Sequence, residues 1–175
     1  RGAFTGAVRD KTGFFQKSNS GSLFLDEISE MPMSMQSKLL RVLDDKEFYP
    51  LGGGKTIKVD SRIIAASNKN LEEEVREGRF REDLFYRIHV IVIELPPLRV
   101  RVEDIPLLAR HFLKIYSRKM QKPVKGLTPR ALQKLINHHW PGNVRELENT
   151  IESALVMSME EIIHEDLILP AAKPH

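Results

Sequence analysis

The chain has 175 residues, enough for one domain with a sizeable core and part of a second. Its 27 lysines and arginines against 24 acids leave a net charge of +3, a small excess that does not by itself predict nucleic-acid binding. The absence of cysteine excludes disulfides, cysteine-ligated zinc and a thiol nucleophile. It fits a cytoplasmic location, and no apolar stretch approaches the roughly 20 residues of a membrane span.

A hexapeptide of mostly small residues stands near the start of the chain, Gly2-Ala3-Phe4-Thr5-Gly6-Ala7. Two glycines and three small residues around one aromatic favour a closely packed turn over a core element. Phe4 at the tip of this turn would be an exposed apolar side chain, which usually marks contact with a partner. The alternative is a buried loop anchor.

The apolar run 22–28 ends in two adjacent acids, Asp26 and Glu27. Its pattern predicts a strand buried on both faces in a parallel sheet. Ligands of such sheets bind outside the carboxyl ends of the strands, where both acids would emerge. Because successive side chains of an extended segment point in different directions, one carboxylate can face Mg²⁺ while the other orients a water molecule. A phosphoanhydride hydrolase needs this arrangement; a solvated turn is the alternative.

Two further elements are predicted before residue 70. Apolar residues at helical spacing predict an amphipathic helix over about 33–45. Residues 62–66 predict a second buried strand, followed by Ser67 and Asn68 at the same end of the sheet as the acids. Both side chains could hydrogen-bond a water molecule or a γ-phosphate there.

The sequence 54–56, Gly-Lys-Thr, is similar to the end of a phosphate-binding loop. That loop requires a glycine five places before the Gly-Lys pair, and the residue there is Tyr49. No other Gly-Lys-Thr or Gly-Lys-Ser occurs in the 175 residues. The chain therefore contains no nucleotide-anchoring loop of its own.

Short helices are predicted over 71–78 and 80–87, and the acidic run 72–74 is interpreted as a solvated face. Arg81 and Arg87 are six residues apart, so they do not share one helical face, and a surface ion pair is the simple interpretation of each. A third apolar run spans 89–95 and stops at two prolines.

From residue 98 the pattern becomes helical. Helices are predicted over 104–119 and 130–138, the second capped by Thr128, and a third helix is capped by Asn143. The expected fold is α/β, a parallel-sheet layer followed by a small helical domain. We place the two parts at 1–97 and 98–170, with 171–175 as a tail.

Together these segments resemble the AAA+ ATPase domain of bacterial enhancer-binding proteins, the NtrC-like activators of RNA polymerase carrying sigma-54, over nearly the whole chain. The resemblance implies the C-terminal part of a P-loop NTPase core and an α-helical lid. The hexapeptide resembles the family's sigma-contacting loop, with Phe4 and Thr5 at its tip. The segment 21–28 resembles the Walker B strand, which implies that Glu27 is the catalytic base and that Asp26 lies on the Mg²⁺ side, through water.

Two further segments resemble parts of the family's nucleotide site. Residues 62–71 are similar to the sensor I strand, with Ser67 and Asn68 where the family commonly has Thr-Asn. Residues 80–87 resemble the arginine-finger segment. The resemblance implies that Arg81 and Arg87 reach the nucleotide of a neighbouring subunit in a hexameric or heptameric ring.

The last two resemblances lie in a loop and in the lid. Residues 51–55 are similar to the second pore loop. Residues 140–149 resemble the sensor II motif, which implies nucleotide contact by Asn143, Val144 and Arg145, with the arginine at the phosphate.

The implied function is ATP- and Mg²⁺-dependent remodelling of the closed promoter complex, with the sigma-54 RNA polymerase holoenzyme as partner. Family members carry a Walker A loop before the sigma-contacting loop, and often a receiver domain upstream and a helix-turn-helix domain downstream. We therefore expect a truncated unit that contacts DNA only through a domain absent here, contacts no membrane, and neither binds nor hydrolyses ATP alone.

Two alternatives remain open. The chain could belong to another AAA+ remodelling ATPase, which would share the acid pair and the sensors. Residues 128–157 could instead form a helix-turn-helix DNA-binding module. Its second helix, however, carries Glu146, Glu148 and Glu152 against a single basic residue, Arg145, and this charge pattern would repel phosphates.

Overall fold

The computed structural model describes residues 13–49 and 55–168. The chain forms two compact units, Arg1–Ile93 and Glu94–His175. The expected sigma-contacting hexapeptide, residues 51–54 of the expected pore loop and the tail 171–175 lie outside the described residues. Within the described part, no helix is both long and apolar enough to cross a membrane.

The first unit is organised on two parallel strands. In chain order its elements are α1 (Phe14–Lys17), β1 (Ser22–Leu25), a 3₁₀ turn (Ile28–Glu30), α2 (Met33–Asp45), β2 (Glu47–Phe48), β3 (Ile57–Lys58), β4 (Arg62–Ala65), α3 (Leu71–Arg76) and α4 (Glu82–Ile88). β1 and β4 pair in parallel, with Leu25 opposite Ala65, which confirms the predicted parallel pairing. β2 and β3 form a separate antiparallel pair.

α2 supplies much of the core of this unit. It spans the predicted residues, and its apolar stripe meets the 3₁₀ turn and α4 because leucines recur there at helical spacing. The buried cluster consists of Ile28, Leu39, Phe80, Leu84 and Phe85.

The prediction that the strands are buried on both faces was wrong. Phe24 of β1 is 59% exposed, and its register partner Ile64 of β4 is 43% exposed. Strand side chains alternate between two faces, and among the described residues only the face of Leu25 packs on the cluster below. The apolar run 89–95 is likewise exposed and forms no strand, with Ile93 at 80%.

The second unit is a helical bundle. Its elements are a 3₁₀ turn (Leu98–Val100), α5 (Asp104–Lys119), β5 (Gly126–Leu127), α6 (Pro129–Ile136), α7 (Asn143–Met157) and β6 (Ile162–Ile163), with β5 and β6 paired in parallel. α5 packs along α7 and encloses Ile105, Leu147 and Ile151, each fully buried. Thr128 caps α6 as predicted, because its Oγ1 accepts a hydrogen bond from the N–H of Ala131 at 3.1 Å.

The turn into α7 differs from the prediction. Asn143 does not cap the helix; Gly142 occupies that position, and its N–H donates to Oε2 of Glu146 at 2.7 Å. The carboxylate four residues on satisfies the free N–H, so the asparagine is not needed there. Asn143 has a φ of 51°, a region that asparagine tolerates, and its Oδ1 accepts from the N–H of Leu98 at 2.9 Å.

Candidate functional site

The acid pair sits on a strained turn at the end of β1. Asp26 and Glu27 are both exposed. Glu27 has φ 51° and ψ 46°, the left-handed region, and precedes the 3₁₀ turn. Its N–H donates to Oδ1 of Asp26 at 3.0 Å. Left-handed backbone costs a non-glycine residue about 1–2 kcal/mol, and such strain is concentrated at functional sites.

The ladder of β1 and β4 continues past their ends. The N–H of Ala66 donates to the carbonyl of Leu25, and the N–H of Ile28 donates to the carbonyl of Ala66, both at 2.9 Å. The chain leaving β1 is thus held beside the chain leaving β4. The acid pair and Ser67–Asn68 therefore emerge at one edge of the sheet, as the sequence predicted.

The turn after β4 is closed by its own contacts. Oγ of Ser67 donates to the carbonyl of Lys69 at 2.8 Å and accepts from the N–H of Lys69 at 3.1 Å. Nζ of Lys69 pairs with Oε1 of Glu30 at 2.6 Å, which joins this turn to the one after the acids. The same contact raises the pKa of Lys69. Asn68 is exposed and makes no side-chain hydrogen bond within the described ranges.

Both candidate arginines pair with acids of their own unit. Arg81 precedes α4, and its guanidinium contacts Asp83 through Nε–Oδ1 at 2.9 Å and Nη2–Oδ2 at 2.6 Å, which raises the arginine's pKa. Arg87, in the last turn of α4, pairs with Asp44 of α2 at 3.1 Å. The side chains of the two arginines are 38% and 50% exposed. Such exposed pairs contribute little net stability because solvent screens them, so an exchange of partner costs little.

The three lid residues differ in their surroundings. Asn143 is bonded to the backbone of Leu98, and Val144 packs against the apolar core of its unit. Arg145 is exposed, near the start of α7. Arg145 is therefore the charged residue of the three, and its side chain is exposed to solvent.

Sequence reasoning missed two buried polar side chains near Arg81. Gln36, on α2, is fully buried. The only sign of this in the sequence was its position three residues before Leu39, on the side of the helix that carries the apolar stripe. Glu74, expected on a solvated face, is 5% exposed and forms two hydrogen bonds of 2.7 Å with Arg79. Glu72 and Glu73, the other two acids of the run, are exposed as predicted. Nothing in the sequence distinguishes Glu74 from these two neighbours.

Comparison with known families accounts for both units. Residues 1–94 match the family described as "Sigma-54 interaction domain", and residues 99–174 match "AAA+ ATPase lid domain". The chain belongs to the sigma-54 interaction domain family. The resemblance and the α/β fold class inferred from the motifs are thereby confirmed. Residues 128–157, the alternative DNA-binding module, fall inside the lid match.

Relatives in the sigma-54 interaction domain family are bacterial regulators. The regulatory protein AtoC of Escherichia coli (strain K12) is 52% identical over 170 residues, which cover 97% of this chain and 37% of AtoC. The DNA-binding transcriptional regulator NtrC of the same strain is 52% identical over 168 residues, which cover 95% of this chain and 36% of NtrC. The chain thus spans a little over a third of these relatives.

A solved structure agrees with the fold. The crystal structure of NtrX from Brucella abortus in complex with ATP superimposes with a TM-score of 0.83 at 42% identity. The match covers 92% of this chain and 38% of NtrX. A second NtrX structure, in complex with ADP, gives a TM-score of 0.82.

Proposed function

We propose that this chain is the mechanical part of a sigma-54-dependent transcriptional activator, in which ATP hydrolysis drives remodelling of the closed promoter complex. The observation that carries the proposal is the register of β1 and β4, which brings Asp26–Glu27 and Ser67–Asn68 to one sheet edge. We assign 1–97 to the α/β subdomain and 98–170 to the lid. The separation of the chain into two compact units supports this division.

The two acids, Asp26 and Glu27, have different roles in hydrolysis. Asp26 would hold Mg²⁺ through water, since one carboxylate together with phosphate oxygens is how proteins usually bind this ion. Once bound, the ion would supply positive charge against the charge that develops on the phosphates. Glu27 orients the attacking water and accepts its proton. Asn68, exposed beside them, donates its amide to that water or to the γ-phosphate, and Ser67 holds the turn that carries Asn68.

Arg145 is the lid residue that we assign to the nucleotide. Arg145, exposed at the start of α7, contacts the phosphate, while Val144 and Asn143 fix the first turn of that helix. The NtrX structures with ATP and ADP support a nucleotide as ligand.

Arg81 and Arg87 act on the nucleotide of a neighbouring subunit. Their exposed ion pairs with Asp83 and Asp44 contribute little stability, so exchanging these partners for a triphosphate costs little. Arg81 directly precedes α4, and Arg87 lies in its last turn. An arginine supplied in trans accelerates phosphoryl transfer by roughly 10³ to 10⁵ in enzymes that use one. Hydrolysis then requires assembly, for which we propose a hexameric or heptameric ring.

The energy of hydrolysis reaches sigma-54 through the hexapeptide 2–7. Phe4 and Thr5 are its contact residues, and the four small residues around them also belong to the contact segment. The sigma-54 RNA polymerase holoenzyme is the partner, which places the protein in the cytoplasm. DNA is contacted through other parts of the gene product. The 175 residues alone do not hydrolyse ATP, because they contain no Gly-x-x-x-x-Gly-Lys loop to hold the phosphates.

Two substitutions in the gene product that contains these residues test the proposal. Glu27→Gln should leave ATP binding near normal and reduce hydrolysis by at least about 10²-fold, as loss of a general base does. Phe4→Ala should leave hydrolysis within about twofold and abolish open-complex formation by the sigma-54 holoenzyme. Undiminished hydrolysis by Glu27→Gln, or promoter opening by Phe4→Ala, contradicts the proposal.

A further inference from the structure

Gln36 is a buried amide whose hydrogen-bonding groups are all satisfied by backbone. Its Nε2 donates to the carbonyl of Met31 at 2.8 Å and to the carbonyl of Arg79 at 3.1 Å. Its Oε1 accepts from the N–H of Arg81 at 2.8 Å. Two carbonyls and one N–H allow a single orientation of the amide. Because a buried polar group left unpaired is costly, these three backbone groups are tied to one rigid side chain.

The three partners of Gln36 belong to two different segments. Met31 ends the 3₁₀ turn that begins after Glu27, and its own N–H donates to the carbonyl of Ile28 at 3.1 Å. Arg81 lies 45 residues beyond Gln36, directly before α4. One amide therefore joins the turn carrying the proposed base to the segment carrying a proposed arginine finger.

The backbone around Arg81 has further anchors, among them the N–H of Phe85, which donates to the carbonyl of Arg81 at 3.0 Å. The N–H groups of Arg79 and Phe80 donate to the carbonyl of Glu74 at 2.9 and 3.0 Å, and the Phe80 side chain is 2% exposed. Among the described residues, the Arg81 guanidinium contacts the exposed carboxylate of Asp83 and Oγ of the half-buried Ser37, the latter at 3.3 Å. The backbone of Arg81 is therefore fixed while its side chain can change partner.

We propose that Gln36 is a positioning residue for the arginine that each subunit presents to its neighbour. It transmits any displacement of the turn after Glu27, through Met31, to the backbone of Arg81. The inference rests on the proposed function, since it requires that Arg81 act in trans. Because Gln36 is fully buried, we expect its loss to act on catalysis through Arg81, in the neighbour's site, more than through the subunit's own acids.

Mixed oligomers separate these two effects. Glu27→Gln removes a subunit's own base and leaves its arginine, whereas Arg81→Ala does the reverse. Mixing the two variants should restore hydrolysis, because some interfaces combine an intact base with an intact arginine. Gln36→Met keeps the volume of an unbranched side chain without the amide. We expect it to lower hydrolysis by about 10²-fold, the effect of misplacing a catalytic group by about 1 Å.

The pattern of rescue decides the inference. Gln36→Met should regain activity when mixed with Glu27→Gln and should stay inactive when mixed with Arg81→Ala. Rescue by Arg81→Ala, rescue by neither variant, or normal activity of Gln36→Met alone overturns the inference. If Glu27→Gln and Arg81→Ala fail to rescue each other, the proposed function fails instead. Lys38→Met, exposed on the same helix, is the matched control and should remain active.

A measurement on the 175-residue chain reports on the contact without turnover. Amide hydrogen exchange at Arg81 should accelerate by at least about tenfold in Gln36→Met, since its acceptor is lost, while exchange at Leu39 changes little. Gln36→Leu, a second apolar replacement without an amide, should accelerate exchange at Arg81 in the same way, and Lys38→Met should leave it unchanged. Unchanged exchange at Arg81 in either folded Gln36 variant overturns the inference.

Discussion

The backbone N–H of Glu27 donates to Oδ1 of Asp26 over 3.0 Å, and this bond forms at a residue with a left-handed backbone, φ 51°. The proposed metal-side acid thus stabilises the conformation of the proposed base. Glycine is the residue that adopts this conformation at least cost, yet a carboxylate occupies it. The left-handed backbone at Glu27 lowers the stability of the fold, and it places a charged group at the end of the strand.

Glu27→Gly should therefore be more stable than Glu27→Gln. Both variants lack the carboxylate, but only glycine relieves the left-handed strain of about 1–2 kcal/mol, offset in part by its greater freedom when unfolded. We expect the free energy of unfolding in urea to be higher for Glu27→Gly by up to about 1 kcal/mol. A lower value for the glycine variant would show that the turn is unstrained.

Glu74→Gln should lower the melting temperature of the first unit. Two hydrogen bonds of 2.7 Å from Arg79 hold this buried carboxylate, and they keep the pKa of Glu74 below its ordinary value of 4.5. Glutamine is uncharged, so the ion pair with Arg79 is lost. Its side-chain N–H₂ is a donor that faces the N–H donors of the Arg79 guanidinium. Glu72→Gln, on the exposed side of the same helix, should change the melting temperature little.

The stability that Glu74 contributes depends on pH. Since the folded-state pKa lies below the unfolded-state value, the contribution is complete above about pH 4.5 and is lost as the pH falls toward the lowered pKa. The difference in melting temperature between the natural chain and Glu74→Gln should shrink in that acidic window. A difference that stays constant from pH 7 to pH 3 would contradict this origin.

The sequence predicted those features that depend on local periodicity. α2 and α5 have the predicted bounds, and Thr128 caps α6, because helical spacing and caps are encoded within a few residues. The shared end of β1 and β4 also followed, since parallel strands place their carboxyl ends together.

The failures concern contacts that the periodicity of the sequence does not report. Whether Phe24 is covered depends on what packs on the second face of a strand, which periodicity does not report. The role of Gln36 depends on the backbone groups that its amide meets, and that of Glu74 depends on the guanidinium of Arg79. Residue spacing predicts neither contact, so in the sequence Gln36 was only a polar residue on an apolar stripe and Glu74 only one acid in a run. Asn143 was misassigned because Glu146 competes for the same helix end.

Asn143→Ala should destabilise the second unit by roughly 2 kcal/mol. The substitution removes the acceptor for the N–H of Leu98, worth about 0.5–1.5 kcal/mol, and places alanine at φ 51°, which costs about 1 kcal/mol more. Asn143→Gly removes only the hydrogen bond and should cost about half as much. Urea unfolding of the three proteins measures this, and equal losses for both variants would mean that backbone strain plays no part.

Gly142→Ala should be the more damaging of two matched glycine substitutions. A Cβ built on Gly142 lies 2.8 Å from Cβ of Glu146 and 3.3 Å from its Oε2, the atom that accepts the Gly142 N–H. The clash forces the first turn of α7 to shift, at a cost of about 1–3 kcal/mol. A Cβ on Gly126 of the same unit meets nothing within 4 Å, so Gly126→Ala should be neutral or slightly stabilising. Urea unfolding of both variants measures the difference, and equal stabilities would show that α7 adjusts to the added methyl group without cost.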